Sequence, residues 1–185
     1  TVNMITFGGG YSLPAWVAQR QGFFAGHGIA VNITHTPNSV FLMKNLIEGR
    51  FDLAVTAMDN LVAYQEGQGE APYAGTCDLV AFMGVDDSFQ SLMAAPDIKS
   101  VADLRGKKIA ASFGTINHLY ILALLEKAGL TPADVTLVNT PPPDMTVALL
   151  SRGIDAFSGW DPWPIVAQKD VPGAYLVIRG GDVIS

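Results

Sequence analysis

Charge is scarce in this chain of 185 residues, of which Asp, Glu, Lys and Arg make up only 15%. Seventeen acidic against eleven basic residues leave a net charge of −6, with no basic stripe. That excludes the electrostatic footprint of a nucleic-acid binder. A single cysteine, Cys77, excludes a disulfide scaffold and any zinc site built on cysteine pairs. The three histidines, His27, His35 and His118, have no metal-ligand spacing. Long apolar runs are missing too: Leu79–Val85 and Leu119–Leu125 fall far short of the ~20 residues needed to cross a bilayer. There is no G-x-S-x-G, no G-K-[ST] and no pair of carboxylates on one helix face, so nucleophilic and paired acid–base chemistry have no carrier.

What is present is apolar. Hydrophobic residues reach 49%, which excludes a disordered chain. A chain of this size buries roughly 70% of its unfolded surface, so its core needs neither disulfide nor metal. The first residue is Thr1, directly before a strand-like run and with no charged-then-apolar leader. Removal of a leader and a cut chain are both open.

Periodicity predicts alternating strands and helices. Val2–Phe7, Ile29–Thr34, Phe51–Val55 and Leu79–Met83 read as strands, with helices over Leu13–Gln21, Val40–Glu48 and Asn60–Glu66. The same grammar then repeats. Lys108–Ala111, Val135–Asn139, Ile154–Ser158 and Ala174–Ile178 are strands, with helices over Ile116–Ala128, Asp144–Ser151 and Asp161–Gln168. The halves align in register: Leu46-Ile47-Glu48-Gly49-Arg50-Phe51-Asp52 answers Leu149-Leu150-Ser151-Arg152-Gly153-Ile154-Asp155. Two α/β lobes with mostly parallel sheets are expected, residues 1–95 and 96–185, joined at Pro96–Ser100, where Ser100 can cap a short helix over Val101–Leu104.

Ligands of open α/β sheets bind beyond the carboxyl ends of the parallel strands. The loops there are Gly8–Ser12, Thr36–Ser39, Thr56–Asn60, Ser112–His118, Thr140–Asp144 and Gly159–Trp163, and none contains Lys or Arg. Gly8-Gly9-Gly10 lacks the third glycine of a dinucleotide fingerprint, because position 13 is Leu13. A tight turn, with or without a small ligand beside it, is expected. Gly114 and Thr115 open the longest helix, whose first-turn N–H groups suit a carboxylate or sulfonate head group; a plain Thr cap is the alternative. Trp160-Asp161-Pro162-Trp163 offers flat apolar walls beside an acid that caps the next helix with Pro162 at its first position. Asp59 caps its own helix or meets a ligand amine. His118 is expected to be a neutral ring giving one hydrogen bond.

Several motifs then carry a resemblance that runs through the chain in order. They are Leu13-Pro14-Ala15-Trp16-Val17-Ala18-Gln19-Arg20-Gln21-Gly22-Phe23-Phe24, Glu48-Gly49-Arg50-Phe51-Asp52-Leu53-Ala54-Val55, and Lys99-Ser100-Val101-Ala102-Asp103-Leu104-Arg105-Gly106-Lys107-Lys108-Ile109-Ala110, followed by Gly114–His118 and Gly153–Trp163. Together they are similar to the substrate-binding proteins of ABC importers for sulfonates, taurine, nitrate and thiamine precursors. The resemblance implies a type II periplasmic-binding-protein fold, two α/β lobes with a ligand cleft between them. It implies a non-enzymatic receptor, periplasmic or held outside the membrane, that delivers a small-molecule solute to an ABC permease. No cofactor, metal, nucleic acid or stable membrane insertion is expected. The solute contacts it implies are Gly10, Tyr11, Asn38, Thr56, Ala57, Asp59, Phe113, Gly114, Thr115, Asn117, His118, Trp160 and Asp161. Pro37-Asn38-Ser39 stands where the family usually has glycine.

Three carboxylates and no arginine in these loops favour a zwitterion such as an aminosulfonate, or a near-neutral heterocycle. An enzyme of pyrimidine-precursor or menaquinone biosynthesis on the same fold is the alternative, and one cysteine with three histidines speaks against the former. Family members continue past the point matching Ser185 and return to the first lobe. The first lobe is therefore expected to be incomplete, with Phe89–Ala95 left exposed or paired with a neighbour.

Overall fold

The structure, a computed structural model, describes residues 1–73, 75–85 and 90–180. They form two compact units, residues 1–87 and 88–185.

In the first unit the order is β1 (Val2–Thr6), α1 (Leu13–Arg20), α2 (Phe23–Gly26), β2 (Val31–His35), α3 (Ser39–Ile47), β3 (Leu53–Val55) and α4 (Met58–Gln65). Its sheet runs β2-β1-β3, all parallel, with Met4 opposite both Ile33 and Leu53. Ile5, Leu42, Met43 and Tyr64 form the core, and Phe7, Ile47, Phe51 and Ala54 pack around it. The run Leu79–Met83 is not a strand. Leu79 joins this cluster and its carbonyl accepts a bond from Gln65, but Val80, Phe82 and Met83 stand exposed. An apolar run becomes a strand only where a neighbouring strand pairs with it.

The second unit holds β4 (Ser91–Ala94), β5 (Lys108–Ala111), α5 (Ile116–Lys127), β6 (Thr136–Asn139), α6 (Pro142–Leu150), β7 (Ala156–Gly159), α7 (Trp163–Asp170) and β8 (Tyr175–Arg179). The strand order is β6-β5-β7-β4-β8, with β5 parallel to β6 and β7, and β4 antiparallel to β7 and β8. Alternation along the strands splits the core into two layers. Leu92, Ala94, Ile109, Ala111 and Ala156 face Tyr120, Ile121, Leu124 and Leu125 of α5. Met93, Ala110 and Phe157 face Met145, Leu149 and Ala167 of α6 and α7. Burial on both faces is what makes these strands near-continuously apolar.

This placement corrects the expectation for Phe89–Ala95. Residues 90–95 are buried between β7 and β8 within this chain, and Phe89 lies outside the described residues. The two compact units divide after residue 87, and β4 belongs to the second sheet. Ser91 and Leu92 sit opposite Arg179 and Ile178, so β8 of the same chain covers the outer edge of β4.

Candidate functional site

In the first unit Thr6 and Ser12, both fully buried, share a side-chain hydrogen bond that ties the end of β1 to the start of α1. Gly10 and Tyr11 lie in the 3-10 turn Gly10–Ser12 between them. Asn38 is exposed and caps α3, its Oδ1 accepting from the Phe41 N–H at 2.8 Å. That acceptor is therefore engaged by the helix. Asn60 donates to the Thr56 hydroxyl at 2.9 Å, closing the turn after β3. Ala57, not Asp59, holds the cap position of α4, since the helix begins at Met58. Asp59 lies in the first turn with both carboxylate oxygens shielded from water. Cys77 is half-buried, and burial pushes its thiol up from the ordinary value.

In the second unit three loops meet at the carboxyl edge of β5, β6 and β7, laced by side chains. Ser112 donates to the Thr140 carbonyl at 3.2 Å, and the Phe113 N–H donates to Asn139 Oδ1 at 3.1 Å. Asn117 Nδ2 donates to the Ser158 carbonyl at 2.9 Å, with both residues fully buried. Gly114 takes φ 69, a left-handed turn that glycine adopts without Cβ strain. Thr115 then caps α5: its hydroxyl accepts from the Asn117 N–H at 3.3 Å and donates to the Ser112 carbonyl at 2.7 Å. A helix leaves its first N–H groups without intrahelical partners. Those of Gly114, Thr115 and Ile116 make no hydrogen bond among the described residues. The Phe113 ring stacks on His118, centroids 4.6 Å apart and planes at 15°. The result is an exposed glycine corner, unused amides at the positive end of a twelve-residue helix, and an aromatic plate beside them.

Trp160, 8% exposed, follows β7, and its carbonyl accepts from the Trp163 N–H. Asp161 stays exposed and does not cap α7. Pro162 occupies the cap and Pro164 the first turn, so the expected positions shift by one residue, and the Asp161-Pro162 bond is cis. Sequence reasoning missed the Asn139 side chain and the Ser158 main-chain carbonyl, polar groups in the last two positions of β6 and β7. Polar residues at those strand ends are their signal. Among the described residues no group of three or more His, Cys, Asp and Glu is placed to hold a metal, and no helix is long and apolar enough to cross a membrane.

The model of the NMT1/THI5-like family matches residues 10–176. The chain belongs to this family. A Brucella abortus relative is 29% identical over 166 residues, covering 90% of this chain and 49% of the relative. The taurine-binding periplasmic protein of Escherichia coli is 33% identical over 81 residues, 44% of this chain and 25% of that protein. Among solved structures, the periplasmic aliphatic sulphonate binding protein SsuA of Escherichia coli superposes with a TM-score of 0.74 at 22% identity, covering 100% of this chain and 58% of that one. The fold is that of periplasmic binding proteins. The chain spans about half the length of the curated relatives it matches.

Proposed function

We propose that this NMT1/THI5-like chain is the solute-binding receptor, or part of one, of an ABC import system. Its solute is a small zwitterion of the aminosulfonate kind or a near-neutral heterocycle. The observation that carries the reading is the start of α5: three unused N–H groups at an exposed glycine corner, with no Lys or Arg in any strand-end loop to neutralise an anion. Helix N–H groups suit one compact anionic head group, while Asp59, Asp144 and Asp161 oppose a second negative charge and favour an ammonium.

The residues proposed to touch the solute are Gly10, Tyr11, Asn38, Thr56, Ala57 and Asp59 of the first unit, and Phe113, Gly114, Thr115, His118, Trp160 and Asp161 of the second. Asn117 acts behind them. The protein works outside the cytoplasmic membrane, in the periplasm or anchored at the cell surface, and hands its solute to a membrane permease. It is a receptor without turnover. Native mass spectrometry of protein purified without added ligand tests this. The expected spectrum contains a complex with one small organic solute, released unchanged on denaturation. Chemical conversion of a bound candidate would replace the receptor by an enzyme.

A further inference from the structure

The parallel register of β5 with β7 ends at Ala110 opposite Phe157. Beyond that point β5 turns away into the Ser112–His118 loop, and β7 runs on to the Gly159–Trp163 loop. The Asn117 amide bonds the Ser158 carbonyl at 2.9 Å just where the two strands stop pairing. Asn117 and Ser158 are both fully buried, and neither Asn117 Oδ1 nor Ser158 Oγ has a hydrogen-bond partner among the described residues. Shielded polar atoms left unpaired oppose folding, so a pair kept only for stability would be better replaced by apolar side chains of the same volume.

We propose that Asn117 is a positioning residue: its amide fixes the spacing between the first turn of α5 and the end of β7, and so holds the two loops that present Phe113–Thr115 and Trp160–Asp161 to the solute. The inference rests on the function proposed above and deepens it, because Asn117 serves the site without touching the solute. The lever is short. Asn117 is two residues after the cap Thr115, and Ser158 is two before Trp160, so a shift at this bond moves both loops directly. The bond is the described side-chain link between them, whereas the loop after β6 is tied to the same corner through Ser112 and the Phe113 N–H.

The test uses the whole 185-residue chain and the variants Asn117→Leu, Asn117→Ser and Ser158→Ala. Leu removes the donor and adds bulk, and Ser removes the reach without adding bulk. Ser158→Ala keeps the carbonyl that accepts the bond. Without ligand, hydrogen exchange in peptides covering 112–118 and 159–163 is expected to quicken at least about tenfold in both Asn117 variants, confined to those loops. In Ser158→Ala it should stay as in the wild type. The melting temperature of Asn117→Ser should change little, since one orphaned acceptor replaces another. Calorimetry with taurine and ethanesulfonate should show affinity falling about tenfold in the Asn117 variants and unchanged in Ser158→Ala.

Unchanged loop exchange in either Asn117 variant overturns the proposal. So does quickened exchange spread evenly over β4–β8 with a lowered melting temperature, which marks a purely structural bond. Should wild-type protein bind neither probe, the exchange result still decides the positioning role, and it is the solute class that fails.

Discussion

The two units solve one problem twice, at residues 46–55 and 149–158. In the first, α3 ends in a left-handed residue, Gly49 at φ 72, and Asp52 then clasps β1: its carboxylate accepts the Asn3 N–H at 2.7 Å while its own N–H donates to the Asn3 carbonyl at 2.9 Å. In the second, α6 ends in Arg152 at φ 60, and Asp155 clasps β5 at Lys108 with bonds of 2.8 and 2.8 Å. The aspartate and its strand partner are the same device, whereas the left-handed residue is glycine once and arginine once. The clasp therefore depends on side-chain chemistry. The turn depends only on backbone conformation, which a non-glycine residue can adopt at a cost.

The contrast extends to the helices that follow β1 and β5. The eight-residue α1 buries no side chain fully and receives no side-chain cap bond, because Ser12 is bonded to Thr6. In contrast, α5 runs twelve residues, buries Asn117, Tyr120, Ile121, Leu124 and Leu125, and is capped by Thr115. A long, anchored helix holds its N-terminal amides in place, which is why the candidate site is built on the second unit's helix.

Breaking the clasps should have the largest effect. Asp155→Ala removes a charge-assisted bond at a half-buried position and should cost about 2 kcal/mol, and Asp52→Ala, at an exposed position, about 1 kcal/mol. Urea unfolding of each variant measures both, and equal losses would show that burial does not grade the clasp. Next come the turns. Gly49→Ala should destabilise by about 1 kcal/mol through conformation alone, since nothing lies within 4 Å of the added Cβ. Arg152→Gly should stabilise by about 0.5 kcal/mol, the relief of strain being partly offset by the freer unfolded chain. Its 3.6 Å pair with Asp97 joins two exposed groups and contributes little.

The smallest expected effect is on pH dependence. The Lys99 N–H, with the hydroxyl and N–H of Ser100, holds Asp103 below the usual carboxylate value, and the Thr131 N–H and hydroxyl do the same for Asp134, which also pairs with Arg105. Folded values below the unfolded value of about 3.9 mean the contribution is complete above that pH and is lost as pH falls through the folded values. Thermal melts between pH 6 and 3 should therefore decline less steeply in Asp103→Asn and Asp134→Asn than in the wild type.

The repeat itself was legible in the sequence, because Gly-x-x-Asp and its partner Arg-Gly-Ile-Asp stand before apolar strands in both halves. The Thr115 cap and the Ser100 turn were equally readable, since caps are local. Sheet membership was not: Ser91–Ala94 lies near the expected boundary, and only pairing with β7 and β8 assigns it to the second unit. Leu79–Met83 misled for the same reason, being apolar enough for a strand with no strand described beside it. The Asn117–Ser158 bond joins residues 41 apart, and no spacing rule reaches that far.

The central claim, a receptor for a small zwitterionic or near-neutral organic solute, is most directly tested by calorimetry of the chain against taurine, ethanesulfonate, a pyrimidine thiamine precursor, nitrate and bicarbonate. Saturable one-to-one binding of the taurine-like or pyrimidine solute, with the inorganic anions weak, is the expected result. Binding of nitrate or bicarbonate with no response to the organic solutes would contradict it.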